Sequence, residues 1–503
     1  MTNRANYDST AASSPAAGMP VRGIARLRER QSAKQAARRM VLLAGVSAIG
    51  FAAAAVAFSW TVDPLQHYRK AWYPPVYSSE ERYQNAGLAR NYSYDTIILG
   101  TSMTENFSPN AVGKALGGKV MKLPLRGSVV SEQYETAKLA LSTGQVKRVL
   151  WGLDYFALRE ESDTGEGTFP GYLYDDKLWN DYPYWFSITP YTELAKGAAK
   201  KLFSHHGTEL ETLDSWDSWT KFDKRLVLSD YKEAQQTEAY FGLNEDPLAD
   251  VQESFNTYVL PLVKEYPQVQ FDFYYPPYSI LRHAVWRQTN PVRYDNQMTM
   301  RKWMFEQLDM QPNASVFDFQ AESRWTFDLD QYKDLSHHRG SINTEIAEAV
   351  GRKDAAYLLT RGNIDEHNSQ LNQQVRTFVI RDDDFVTSNP VLIMGEEVDF
   401  TSREEAGKDE VLVPAKELAA ALKMQLVWDA GSKTITLQFG KHVVKMTTGE
   451  AFAIVDDQKK EAPSPAKLIK NKLHIPLIFV TEAVGLTIDQ DVRGPAVTAF
   501  LVH

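Results

Sequence analysis

From Met40 to Trp60 the chain runs 21 residues without a charge: Met-Val-Leu-Leu-Ala-Gly-Val-Ser-Ala-Ile-Gly-Phe-Ala-Ala-Ala-Ala-Val-Ala-Phe-Ser-Trp. As a helix this stretch reaches roughly 30 Å, the thickness of a bilayer's hydrocarbon core. Arg22, Arg26, Arg28, Arg30, Lys34, Arg38 and Arg39 lie on its amino side. Because Lys and Arg stay on the cytoplasmic side, residues 1–39 read as a cytoplasmic basic leader and 40–60 as a transmembrane signal anchor. Everything after Trp60 then reads as extracytoplasmic. A cleaved signal peptide is the alternative, since Ala55-Val56-Ala57 has the small-x-small pattern of a cleavage site.

Charge is unevenly spread. Residues 1–39 hold eight Lys or Arg against two acids, and the rest of the chain holds 47 bases against 62 acids. An acidic remainder argues against nucleic acid as a partner, because phosphates demand cations. With 43% apolar and 12% aromatic residues, a chain of 503 residues can bury cores for two or three domains. Cysteine is absent, which removes disulfides, thiol catalysis and thiolate metal sites. In an exported chain that absence suits a Gram-positive surface protein. The ten histidines show no His-x-x-x-His pair and no carboxylate cluster at ligand spacing, so no metal and no cofactor are expected.

Residues 61–93 read as an irregular, aromatic-rich approach containing Pro64, Pro74 and Pro75. An alternation then begins. Strands are expected at 96–99, 146–153, 269–275 and 315–319, with helices at 132–143, 250–265, 293–308 and 344–359. Strands alternating with helices at this spacing predict an α/β fold: three layers, with a parallel sheet flanked by helices. Residues 157–245 lack clear periodicity and read as an aromatic-rich insertion. Residues 361–389 are polar and read as a linker. Beyond them the chain repeats itself at an offset of 62: Val411-Leu-Val-Pro414 and the residues to Leu426 match Leu473-His-Ile-Pro476 and the residues to Ile488. Each copy reads strand, Pro, helix, hairpin, so two copies are expected to close one small α+β domain over 390–503.

Chemistry concentrates at the carboxyl ends of strands in such a sheet. There the run Asp95-Thr-Ile-Ile-Leu-Gly-Thr-Ser102 delivers a serine on a small turn, and Lys333-Asp334-Leu-Ser-His337-His338 lies far downstream. A serine hydroxyl is a poor nucleophile unless an imidazole takes its proton and an acid holds the imidazole's tautomer. Asp334 and His337, three apart, share one short turn and supply both. His338 competes with His337 and reads as a surface neighbour. Taken alone, a Gly-Thr-Ser after a strand is more often a simple strand-to-helix cap.

These pieces together resemble the SGNH (GDSL-like) hydrolase superfamily, and within it the membrane-anchored branch of polysaccharide O-acetylation. The resemblance spans about residues 90–360. It implies Ser102, Asp334 and His337 as catalytic residues. In Leu123-Pro-Leu-Arg-Gly127-Ser it implies Gly127, with the Ser102 N–H, as the oxyanion hole. The third block departs from the pattern: the family's Asn is replaced by Asp154 in Gly152-Leu-Asp154-Tyr155, and an ionised carboxylate accepts hydrogen bonds but cannot donate one. Asp154 is therefore a candidate for substrate binding instead. Tyr278, Trp179 and Trp185 are further candidates, with plain core packing of a helical insertion as the alternative for the two tryptophans.

The resemblance implies an extracytoplasmic O-acetyltransferase acting on a cell-surface polysaccharide or exopolysaccharide, with a membrane-bound O-acyltransferase supplying acetyl groups. An acetylesterase with the same triad and a non-catalytic wall-binding scaffold stay open. The C-terminal repeat resembles the N-terminal, non-catalytic domain of copper amine oxidases, a stalk-like module that implies no copper here.

Overall fold

Thr96-Ile-Ile-Leu99 has no polar side chain after Thr96, and all four residues are buried. That is the mark of a strand covered on both faces. The computed structural model, which describes residues 21–159, 169–204, 209–238, 247–381, 384–406, 410–494 and 496–503, places this segment, β1, inside a five-stranded sheet. Its partners are β2 (Val120–Lys122), β3 (Arg148–Gly152), β4 (Gln270–Tyr275) and β5 (Ala314–Asp318). The order is β2-β1-β3-β4-β5 and every pairing is parallel. Sequential order reverses between β1 and β3, and open sheets of this kind hold their ligands outside the strand ends at such a switch point.

Register sets the two faces. Leu99, Trp151, Phe273 and Val316 are neighbours across four strands and are at most 3% exposed. Trp151 stacks on Phe273, and its indole N–H donates to Gln133 in the helix Val130–Ser142 (2.7 Å), so that helix covers this face. Ile98, Leu150, Tyr274 and Phe317 point the other way. They share a core with Val112 of the helix Pro109–Leu116 and with Ile342 and Ile346 of the helix Gly340–Gly351. Fully burying a large apolar side chain contributes about 1.5–3 kcal/mol, so these rows carry much of the fold's stability.

The chain divides into two units. One comprises residues up to Asp63 together with Asp181–Ser187; the other holds Pro64–Asn180 and Ile188–His503. In the first, a single helix runs Val21–Val62. Its stretch from Arg30 to Val62 is long and apolar enough to cross a membrane, as an anchor or as a signal sequence.

Several expectations are corrected. The approach 61–93 contains the helix Glu81–Asn91, which shows no apolar periodicity because it buries Glu81, Arg82, Gln84 and Asn85 together with Ala86, Leu88 and Ala89. The linker 361–389 is largely ordered: Ile364–Thr377 is a helix, and Phe378–Ile380 and Val386–Ser388 are strands. Its polar composition masks buried Ile364, Leu371 and Val375, which form the one apolar seam a surface helix needs. The insertion is partly helical, at Thr189–Ser204 and Lys224–Thr237; its residues 160–168, 205–208 and 239–245 lie outside the described residues. The helix expected over 344–359 spans Gly340–Gly351, and it stops where a Cβ on Gly351 would collide with the Ala115 carbonyl. The helix expected over 250–265 contains a π turn at Phe255–Val259, just before Pro261, which has no N–H for a regular ladder.

The repeat folds as two like units. Helices Ala415–Ala421 and Leu477–Ala483 follow strands Val411–Pro414 and Lys472–Pro476, which pair antiparallel through Val413 and Ile475. Leu418, Leu437, Val480 and Val502, two from each copy, sit in one core. Neither copy buries its apolar face alone.

Candidate active site

Gly100 ends β1 with φ +145°, and a Cβ there would sit 2.6 Å from Thr104 Cγ2 and 3.3 Å from the Gly152 carbonyl oxygen. Only glycine lets the chain leave the sheet this tightly. A 3-10 turn, Ser102–Thr104, follows, capped by Thr101, whose hydroxyl oxygen accepts from the Met103 N–H. As the first residue of that turn, Ser102 has an N–H without a partner inside it.

Ser102 Oγ lies 2.7 Å from His337 Nε2, and His337 Nδ1 lies 2.7 and 3.0 Å from the two Asp334 oxygens. Asp334 also accepts from the backbone N–H groups of Ser336 and His337, both at 2.8 Å, so its own turn holds it in place. Burial raises the Asp334 carboxyl, but the hydrogen bond and charge of His337 and the two N–H groups outweigh it and bring it down to about 2. An ionised Asp334 fixes the proton on Nδ1 and leaves the Nε2 lone pair for the serine hydroxyl. Ser279 pins this turn by donating both its N–H (3.2 Å) and its hydroxyl (2.7 Å) to the Leu335 carbonyl.

His338, expected at the surface, is 2% exposed. Its side chain points away from Ser102, edge-on to Tyr332, with Nδ1 on the Arg339 carbonyl. Burial lowers its pKa to about 4, so it is neutral in ordinary conditions. The alternation of neighbouring side chains along an extended segment sends one histidine to the cleft and the other to the core.

Asp154 and Tyr278 both reach the site, and they engage one another. Asp154 is 3% exposed and accepts hydrogen bonds from the Thr101 and Tyr278 hydroxyls. It therefore anchors the residue before Ser102 from beneath the cleft. Burial raises the Asp154 carboxyl above its ordinary value, against the two hydroxyl donors and His337. An acid with a raised folded pKa loses stability on the alkaline side, as pH climbs from the unfolded value near 3.9 through the folded one. Asp154→Asn removes that loss. The melting temperature of the variant minus that of the parent is expected to become more positive from pH 4 to pH 7, and a flat difference would refute a buried, titrating Asp154.

Trp179 and Trp185 do not line the cleft. Trp179 is 74% exposed, and Trp185 belongs to the other structural unit, where its carbonyl accepts from Ser59 (3.0 Å).

The cleft over Ser102 is small, about 200 Å³, and is bordered by Ser102, Gly127, Asp154, Phe156, Tyr278 and His337. A wider hollow of about 410 Å³ lies on the other side of His337, walled by Asp230, Glu233, Glu238 and Arg282. Gly127 has φ +60°, the left-handed region that glycine enters freely. The helix Glu81–Asn91 clamps its loop: Asn85 donates to the Pro124 carbonyl (2.7 Å), Arg82 to the Arg126 carbonyl (3.0 Å), and Glu81 accepts from the Arg126 N–H.

Sequence reasoning also overlooked Glu105 and passed over Trp216 as one aromatic among many. Glu105, 1% exposed in its side chain, accepts from Arg126 Nε (2.8 Å) and from the Trp216 indole N–H (2.6 Å). The Trp216 ring in turn stands edge-on to His337, centroids 5.7 Å apart. Asn106 holds the Trp216 segment by accepting from its N–H (3.1 Å), and Asp217 accepts from the Gly340 N–H (2.8 Å). The insertion is thus tied to the turn that carries Ser102 and to the helix that follows His337. An acid three residues after a strand-turn serine was the signal available in Glu105. Among the described residues no group of three His, Asp or Glu side chains is arranged to hold a metal ion.

No curated protein matches this chain. A solved structure from Streptococcus pneumonia, described provisionally as a platelet activating factor, aligns with 10% identity over 55% of this chain and 92% of its own, at a TM-score of 0.29. A likeness that distant carries no argument. Residues 392–498 match the family model of the copper amine oxidase N-terminal domain, and the C-terminal part of the chain is a domain of that kind.

Proposed function

We propose that the protein is an extracytoplasmic O-acyltransferase of the SGNH type that acetylates a cell-surface or extracellular polysaccharide through an acetyl-Ser102 intermediate. The observation that carries this reading is the line of hydrogen bonds Asp334–His337–Ser102, 2.7 Å at each step, at the rim of a cleft small enough for an acetyl group. His337 Nε2 takes the Ser102 proton as Oγ bonds to the acyl carbon. The proposed donor to the developing oxyanion is the Ser102 N–H at the start of its 3-10 turn, with Gly127 on the border of the same cleft, a place where fixed donors are most effective. The donor's oxygen leaves with the proton from His337. A sugar hydroxyl then gives its proton to the same nitrogen and attacks the acetyl carbon; the bond from that carbon to Oγ breaks, and His337 returns the proton to Ser102. Asp334 stays ionised throughout. The apolar helix, retained as an anchor, keeps the site beside a membrane-bound O-acyltransferase that supplies acetyl groups.

The polar hollow on the far side of His337 favours one second reading, an acetylesterase in which water replaces the sugar. Mass analysis of the full chain with 4-nitrophenyl acetate, with and without sugar oligomers, separates the two. Acetyl mass on Ser102 that passes to sugar is the expected result. Free acetate released regardless of sugar would make the protein an esterase, and the absence of any acyl-enzyme would overturn both readings.

Trp216 acts through His337, as a positioning residue. Trp216→Phe keeps an aromatic ring but removes the N–H, leaving one Glu105 oxygen buried without its donor, a loss of about 1–3 kcal/mol. The expected outcome is a kcat lower by roughly tenfold, the equivalent of about 1.4 kcal/mol, with KM unchanged. A rise in KM alone would assign Trp216 to substrate binding instead.

A further inference from the structure

The segment Asp181-Tyr-Pro-Tyr-Trp-Phe-Ser187 leaves the rest of the insertion and joins the apolar helix in one structural unit. Hydrogen bonds dock it on the helix end: Ser59 Oγ donates to the Trp185 carbonyl (3.0 Å), and the Tyr184 hydroxyl donates to Asp63 (2.7 Å). Ser59, Asp63, Asp181 and Tyr184 are at most 2% exposed, so the polar groups at this junction are turned inward. The large apolar groups are turned outward. Phe58 is 55% exposed, Trp60 42%, Tyr182 58% and Phe186 56%. From Tyr182 to Ser187 there is no charge.

We propose that Phe58, Trp60, Tyr182 and Phe186 form one aromatic collar seated in the headgroup region of a lipid bilayer; this rests on the reading of the helix as a retained anchor. Scattered exposed aromatics need no explanation. These four lie on two chain segments hydrogen-bonded to each other, at the end of an uncharged run whose 21 residues match the hydrocarbon thickness. Aromatic side chains collect at that depth because a flat apolar body and a polar tip suit the boundary between acyl chains and water. The unit is therefore a helix plus an interfacial foot. The chain passes between it and the larger unit at three points, after Asp63, Asn180 and Ser187.

The absence of cysteine makes the test clean, because one introduced thiol takes one label. Full-length Phe186→Cys, Tyr182→Cys, Ile49→Cys and Glu461→Cys, each carrying a nitroxide, are placed in phosphatidylcholine vesicles containing no other protein. Collision with oxygen and with a water-soluble nickel chelate is read for each site. Ile49 lies near the middle of the apolar run and is expected deepest; Glu461, on an exposed strand, is the aqueous reference. Positions 182 and 186 are expected between them, with an oxygen-to-nickel ratio several-fold above that at 461. Ile49 deep but 182 and 186 as open to nickel as 461 would overturn the collar, including in favour of a protein partner at that surface. Ile49 itself open to nickel would instead overturn the anchor.

Discussion

In Ser102→Ala, turnover of an acetyl ester is expected to fall by about 10⁴- to 10⁶-fold, and His337→Ala to fall as far, because neither group works without the other. The double variant should be no worse than either single one. Asp334→Asn is expected to lose about 10⁴-fold while still folding, since the amide can present its N–H to Nδ1 and so select the wrong tautomer. Stopped-flow release of 4-nitrophenolate, with intact-mass detection of the acyl-enzyme, measures all four. The proposed chemistry fails if Ser102→Ala keeps more than a small fraction of the parent rate, or if the Ser102 and His337 losses multiply. The geometry argues otherwise: Ser102 is within 2.7 Å of one imidazole nitrogen, and the other imidazole nitrogen is held by a carboxylate.

The largest stability effect is expected from Arg301, on the helix Pro291–Asp309. Its guanidinium pairs with Asp318 at the end of β5, and the two side chains are 6% and 0% exposed. Asp318 also accepts from the Gln320 N–H (3.0 Å), with His367 Nδ1 at 3.5 Å. Burial raises the Asp318 carboxyl, but Arg301 and His367 outweigh it and hold it below its ordinary value. Arg301→Met leaves that carboxylate buried without its countercharge, which typically costs about 3–5 kcal/mol. Against a total stability of about 5–15 kcal/mol this is severe. A lowered acid contributes stability above its unfolded pKa and loses it as pH falls through the folded value. The melting-temperature gap between parent and variant should therefore narrow below about pH 4. Adding Asp318→Asn to Arg301→Met should recover part of the loss, and a single variant as stable as the parent would show that the pair contributes nothing.

Legibility followed the range of the interactions. The apolar run 40–60, the strands β1, β3, β4 and β5 and the repeat at offset 62 are each defined by residues close in sequence, and the structure contains all of them. The buried strands read clearly because both faces are covered and polar residues are nearly excluded. β2, Val-Met-Lys, is too short to show a pattern, and its Lys122 is buried against the Glu105 carbonyl. The helix Glu81–Asn91 was hidden for the opposite reason. It buries Glu81, Arg82 and Asn85, which hold a loop by hydrogen bonds, beside Ala86, Leu88 and Ala89, and hydropathy cannot recognise so mixed a buried set.

The same division runs through the candidate site. Asp334 and His337 lie three apart, so their turn could be read locally, and Ser102 follows directly from the glycine that ends β1. Whether the three meet was outside the reach of any local pattern: Ser102 and His337 are separated by 235 positions. The sheet decides it, by setting the end of β1 beside the end of β3 and bringing the segment after β5 back over both. The partners of Asp154 lie 53 and 124 positions away, so its engagement by Thr101 and Tyr278 could not be read from the short run Gly152-Leu-Asp154-Tyr155. The burial of His338, the bracing of His337 by Glu105 and Trp216, and the docking of Asp181–Ser187 on the apolar helix have the same cause. The sequence by itself determined the buried strands β1, β3, β4 and β5, the membrane-length helix and the repeat, because near neighbours carry those preferences. Only the tertiary structure decided which polar groups face one another, because a hydrogen bond between distant residues depends on the register of everything between them.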